Sequence, residues 1–220
     1  MTEPMGRAPL LVVGFGPFPG MSRNPSEVIA RRVAGSPSWR LLDTPPALLV
    51  LPTTYAALQD ELGPALQEPL AAVLLIGVAG PARAVRIESR ALNRTSILSP
   101  DASRFRPKQL ALASGPRART TKLPAPAAAR ILKLHKVPCR TSHDAGRYLC
   151  NAAYYQALAG SAPVLFLHIP KAPRRRPRRQ PGARQRLTWE ERLAGAFGAV
   201  AADLVRRGRN AGFRPGRPAL

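Results

Sequence analysis

The chain is expected to fold as an α/β domain with a largely parallel or mixed sheet and helices on both faces. Three observations predict this. Short, wholly apolar runs alternate with segments of helical periodicity along 220 residues. Turn-forming Gly and Pro close the apolar runs. The length suits one sizeable domain with a real core.

The elements follow in order. Pro9-Leu10-Leu11-Val12-Val13-Gly14 reads as a buried strand ended by a turn. Asn24-Pro25-Ser26 opens a helix, with Asn24 at the N-cap and Pro25 at the first helical position. Leu48 to Leu51 is a second strand, closed by Pro52, and Tyr55 to Leu66 has helical spacing. Ala71 to Gly77 is a strongly apolar third strand. Residues 94–121 are irregular and read as a long excursion with room for short hairpin strands. Pro126 to Lys136 is helical, Val137 to Ser142 a strand or turn, Tyr148 to Leu158 a helix and Val164 to Ile169 a buried strand. Leu187 to Arg207 is a final helix, with Thr188 as N-cap and Glu190 and Glu191 in its first turn. The Pro-broken charge run 174–186 reads as a solvated loop, and 208–220 as a flexible tail, of one domain spanning 1–220.

Lys and Arg number 34 against 12 Asp and Glu, a net of +22. From Lys171 onward there are 14 Lys/Arg and 3 Asp/Glu, a net of +11, so half of the excess lies in the last quarter. Such charge attracts polyanions at low salt. No aromatics are interleaved for base stacking and no nucleic-acid motif occurs, which argues against a nucleic-acid partner and for a solvated face. No apolar run reaches the ~18 residues of a membrane span. Two cysteines, Cys139 and Cys150, make neither a disulfide framework nor a zinc site. An intracellular, cytoplasmic setting is the default expectation.

Elimination narrows the chemistry. The three histidines, His135, His143 and His168, have no zinc-motif spacing, and no GxSxG elbow is present. Gly14 to Gly20 (GFGPFPG) resembles a phosphate loop only superficially, since its prolines remove backbone donors and no Lys-Ser/Thr follows.

Cys150 stands where a small-residue turn enters an apolar helix. A cysteine in the first helical turn gains from the positive end of the dipole, which favours the nucleophilic thiolate. First-turn N–H groups could also receive an oxyanion. The alternative is a small buried hydrophobe. His168 ends the strand VLFLHIP, as a base presented at a strand's carboxyl end or as a core histidine bonded to backbone. Glu88 could orient an imidazole, or it could pair with Arg86 or Arg90.

Taken together, five blocks resemble pyroglutamyl peptidase type I, the pyrrolidone-carboxylate peptidase family of cysteine peptidases. They are GFGPFPGMSRNPS, IGVAGPARAVRIESRALN, SPD at 99–101, SHDAGRYLCNAAYY and FLHIP, in the family's order over residues 9–173. The resemblance implies a three-layer α/β/α sandwich, a homotetramer without cofactor, and N-terminally pyroglutamylated peptides as substrates. The family's Glu–Cys–His triad falls on Glu88, Cys150 and His168. Phe15 and Phe18 correspond to pocket aromatics, Asn24 to the Asn of the opening block, and Val78 to a pocket Gln. This chain departs from the family at Val78, Pro81, Ser89, Ala102 and near Leu98, where the family carries an Arg. The expectation is an active but divergent cysteine peptidase. The competing readings are a weak or inactive member that binds blocked N-termini, and a basic polyanion-binding protein.

Overall fold

A computed structural model describes residues 9–18, 20–42, 45–172 and 187–210. The strands are β1 (Leu10–Phe15), β2 (Ala47–Leu51), β3 (Ala72–Val78), β4 (Val85–Glu88), β5 (Arg90–Leu92), β6 (Ala118–Thr120), β7 (Cys139–Ser142) and β8 (Val164–Ile169). The helices are α1 (Pro25–Ala34), α2 (Tyr55–Ala57), α3 (Gly63–Gln67), α4 (Ala125–Leu134), α5 (Leu149–Ala157) and α6 (Trp189–Asn210).

Six strands form one mixed sheet in the order β2-β1-β3-β8-β4-β7. The first four are mutually parallel, β4 runs antiparallel to β8, and β7 runs parallel to β4. β5 and β6 pair separately. Both faces of the main sheet are covered, which is why β1, β3 and β8 read as unbroken apolar runs. Successive residues divide between two cores. Leu10, Val12, Leu74, Ile76, Leu165 and Leu167 pack with residues of α1, α4 and α6. Leu11, Val13, Phe15, Leu75 and Phe166 pack with residues of α2, α3 and α5. Each fully buried Leu, Ile or Phe contributes about 1.5–3 kcal/mol.

Local signals at helix starts act as expected. Asn24 Oδ1 accepts from Ser26 N at 3.0 Å, and Pro25 opens α1. Thr188 Oγ1 accepts from Glu191 N while Glu191 Oε2 accepts from Thr188 N, a reciprocal capping box.

The structure corrects several boundaries. The expected helix 55–66 contains a π-helical stretch, Leu58–Leu62, between α2 and α3. Pro64 has no N–H to continue the α pattern, and Gln156 Nε2 donates to Leu58 O at 3.0 Å. A 3-10 turn, Pro37–Leu42, follows α1, and the Trp39 indole N–H donates to Val33 O. β4 carries charged residues at alternate positions, so it lacks the apolar run that marks β1, β2, β3 and β8. The excursion supplies β6, but its partner β5 precedes it. α6 runs to Asn210, so 208–210 are helix and not tail. Gly208 allows this, because a side chain there would run into Ala71 O. The expected loop 174–186 and the remainder of the tail, 211–220, lie outside the described residues.

Candidate active site

The β3–β8 register sets Gly77 opposite His168. Gly77, His168 and Phe166 alternate onto the face that α5 covers, because Ile76, Leu167 and Ile169 pack into the other core. Cys150 is the second residue of α5. Its Sγ would lie 3.1 Å from a Cβ built on Gly77, and Phe166 Cζ would lie 2.9 Å away. A glycine is therefore what lets the sulfur come down onto the sheet beside His168.

The turn before α5 directs the helix there. Asp144 Oδ1 accepts from Gly146 N at 2.9 Å, and Gly146 adopts φ +86°. Tyr148 is the N-cap in an extended conformation, without a side-chain cap bond. The first N–H groups of a helix have no intrahelical acceptor, so those of α5 stay available to a ligand beside Sγ.

His168 is 4% exposed and Glu88 fully buried. His168 Nδ1 and Glu88 Oε1 are 2.9 Å apart. A carboxylate only accepts, so Nδ1 carries the hydrogen and Nε2 is left for the sulfur. The Phe166 ring lies against the imidazole, with centroids 4.2 Å apart. Burial alone would lower the His168 pKa, but hydrogen bonds and negative charge from Cys150 and Glu88 outweigh it, and the ring is pushed up to about 9. Glu88 thus partners neither Arg86 nor Arg90. Arg90 Nε instead donates to His143 O at 2.7 Å. His143 is an exposed loop residue whose Nδ1 meets Ser89 Oγ at 2.6 Å.

The other expected site residues divide. Phe15 ends β1, buried in the same core as Phe166, with ring centroids 6.5 Å apart. Phe18 is half-buried and bridges to Met21 across a turn in which Gly20 has φ +84°. Asn24 is 3% exposed, and its amide is used within the chain. Oδ1 accepts from Ser26 N and Oγ, and Nδ2 donates to Gly16 O at 2.9 Å. These bonds shape the first turn, and the second Nδ2 hydrogen is the part of the amide they leave unused. Val78 packs against the α1, α4 and α6 core, on the face away from Cys150. Its side chain is not gathered with the sulfur, because one residue along a strand reverses the face. Leu98 is 80% exposed.

Further residues gather around Tyr148 at the start of α5, and of these Asp101 and Tyr148 lie in the sequence blocks quoted above. Tyr55 packs edge-on to Tyr148 at 6.3 Å and to Phe105 at 6.1 Å. Tyr148 donates to Pro100 O at 2.9 Å. Burial, then the nearby Tyr55, Asp101 and Cys150, push its phenol up to about 12, so it stays neutral. Asp101 is buried and accepts from Tyr55 N, Ser103 N, Ser103 Oγ and Phe105 N. Thr53 Oγ1 donates to Pro17 O and ties the first turn to the end of β2. A cleft lined by Leu66, Leu70, Val73, Gln156 and Gly160 lies at the opposite end of β3, so concavity alone would point away from the sulfur.

A family model described as pyroglutamyl peptidase matches residues 8–202. The pyrrolidone-carboxylate peptidase of Cupriavidus taiwanensis is 30% identical over 207 residues, covering 90% of this chain and 94% of its own length. That of Gloeobacter violaceus is 33% identical over 171 residues, covering 74% of this chain and 82% of its own length. The crystal structure of the pyrrolidone carboxyl peptidase of Thermus thermophilus superposes with a TM-score of 0.70 at 28% identity, over 86% of this chain and 96% of that one. The structure of the Fervidobacterium islandicum enzyme gives 0.75 at 25% identity, over 91% and 99%. With the matched model spanning most of the chain, this protein belongs to the pyroglutamyl peptidase family.

Proposed function

We propose that the chain is a cysteine peptidase that releases N-terminal pyroglutamate from peptides, with Cys150 as nucleophile, His168 as acid and base, and Glu88 as the group that orients the imidazole. The observation that carries this is the buried Glu88–His168 hydrogen bond of 2.9 Å, with the Cys150 sulfur seated over Gly77, the residue opposite His168.

The chemistry is acyl transfer. The proton from Sγ is held on His168, where the charge of Glu88 stabilises it. Sγ attacks the carbonyl carbon that follows the pyroglutamyl ring. The oxyanion turns toward the first N–H groups of α5. His168 Nε2 gives its proton to the leaving amine and a thioester remains. Water, deprotonated by His168, then attacks the thioester, freeing pyroglutamate and restoring Sγ. Pyroglutamate is a small neutral lactam, so an apolar slot with few polar groups suits it. Phe15, Phe18, Tyr55 and Tyr148 supply that lining, and Asn24 acts through the shape of the first turn.

Hydrolysis of a pyroglutamyl-amide reporter by wild type, Cys150→Ala and His168→Ala tests the reading. Turnover in wild type and none in either variant is expected. A wild-type protein that neither turns over the reporter nor reacts with iodoacetamide at Cys150 would sink it. The chain is also proposed to act as one domain over 1–220 and to assemble as a homo-oligomer, tetrameric by family resemblance, in the cytoplasm. Light scattering on the purified protein tests the assembly.

A further inference from the structure

The reaction above leaves one buried feature beside His168 unused. β4 is paired with β8 on one side and β7 on the other, and this sets His168, Arg86 and Arg140 opposite one another in successive registers. Directly opposite residues share a face, so these side chains form one row on the Cys150 side of the sheet. The flanking residues agree, since Val85, Ile87 and Cys139 all pack on the other face. Strands lie about 5 Å apart, so Arg86 starts about 5 Å and Arg140 about 10 Å from the His168 backbone.

Neither guanidinium has a hydrogen-bond or ion-pair partner among the described residues, and Arg86 Nε is fully buried without one. Arg140 is exposed at the sheet edge. Like charges in adjacent register and a buried donor without an acceptor both cost stability. An acceptor arriving with a ligand would meet donors that are already partly desolvated. Glu88, two residues along β4, gives Oε1 to His168, while its Oε2 is likewise buried without a hydrogen-bond partner and bonds neither guanidinium.

Sheet order decides which part of a substrate meets this pair. The turn after β1 and Thr53 after β2 lie on one side of His168, and β4 and β7 on the other. With the pyroglutamyl ring on the β1 side, the leaving peptide passes its proton donor toward β4. We propose that Arg86 and Arg140 form a leaving-group subsite that selects a carboxylate on the residue following pyroglutamate. The commitment is to a side-chain carboxylate, and the α-carboxylate of a dipeptide offers the same chemistry. The inference rests on the pyroglutamyl-peptidase reading.

The test compares kcat/KM for pyroglutamyl-Glu-amide, pyroglutamyl-Gln-amide and pyroglutamyl-Gln with a free carboxyl end. The enzymes are wild type, Arg86→Gln, Arg140→Gln, the double variant and the exposed charge reversal Arg140→Glu. The Glu/Gln ratio is read within each enzyme, so a general loss of activity cancels. Wild type should favour Glu-amide about tenfold at low salt, as a charge-assisted contact would give. The ratio should fall toward one in the double variant and in high salt, and below one in Arg140→Glu. A gain confined to the free-acid substrate assigns the subsite to the α-carboxylate. Turnover of all three substrates at one rate, or an unchanged ratio in the double variant, overturns the subsite alone. No turnover of any substrate rejects the parent reading and the subsite with it.

Discussion

Replacing Gly77 with Ala puts a single methyl group between the sheet and the sulfur. The new Cβ would stand 2.9 Å and 3.0 Å from Phe166 Cζ and Cε2, and 3.1 Å from Cys150 Sγ. Ordinary contacts begin near 3.4 Å, so the overlaps run from about 0.3 to 0.5 Å. Phe166 is fully buried between Phe15, Tyr154 and His168 and has little room to retreat. Overpacking of this kind costs about 1–3 kcal/mol. Sγ is the softer partner, at the first turn of a helix, so it is expected to take up part of the shift. Misplacing a nucleophile by a fraction of an ångström to 1 Å costs up to about 100-fold in rate. The expected result for Gly77→Ala is a fall in kcat of about 10- to 100-fold with a lowered Tm, measured by the reporter assay and thermal unfolding. Gly195→Ala, on the exposed side of α6 with nothing within 4 Å, is the control. It should keep full activity and gain up to about 1 kcal/mol. Wild-type kcat and Tm in Gly77→Ala would refute the claim that close approach at this glycine seats the sulfur.

Other outcomes can be stated from the same geometry. Glu88→Gln should lower kcat/KM by about 100-fold or more, because the imidazolium loses its charged partner. The His168 pKa is raised from 6.5 to about 9, so the stability it contributes is complete below about 6.5 and is lost as pH rises through about 9. The alkaline limb of kcat/KM is expected near pH 9 in wild type and at lower pH in Glu88→Gln, as a pH–rate profile would read. Asn151 is fully buried and holds Leu92 N, Leu92 O and Arg94 O, each at 2.8 Å, so Asn151→Ala should cost about 3 kcal/mol or more in thermal unfolding. Asp101→Ala removes the acceptor of four hydrogen bonds and should raise KM more than it lowers kcat, since it loosens Tyr55 and Phe105 without touching the sulfur.

The parts of the fold that were legible are those whose information is local. The apolar runs of β1, β3 and β8 announce strands buried on both faces, and Asn24-Pro25 and Thr188 with Glu191 announce helix starts through bonds spanning two or three residues. β4 was hidden because its alternate positions hold Arg86 and Glu88, set opposite His168 and Phe166 of a strand distant in sequence. The π-helical stretch depends on Gln156, almost a hundred residues away. The same division runs through the site. Cys150 and His168 could be singled out as residue types at a helix start and a strand end. Glu88 kept two readings until the register brought it to the imidazole, and Val78 was misplaced because its neighbours in sequence do not tell which face it takes.

Sequence by itself therefore determined the α/β alternation, the helix that presents Cys150 and the strand that presents His168, because each depends on periodicity and capping within a few residues. Tertiary structure decided the reversal of β4, the Glu88–His168 bond, the seat of the sulfur over Gly77 and the unpaired Arg86–Arg140 row. These depend on strand order and register, which place residues tens of positions apart side by side, and no local pattern encodes a register between strands that are not neighbours in the chain.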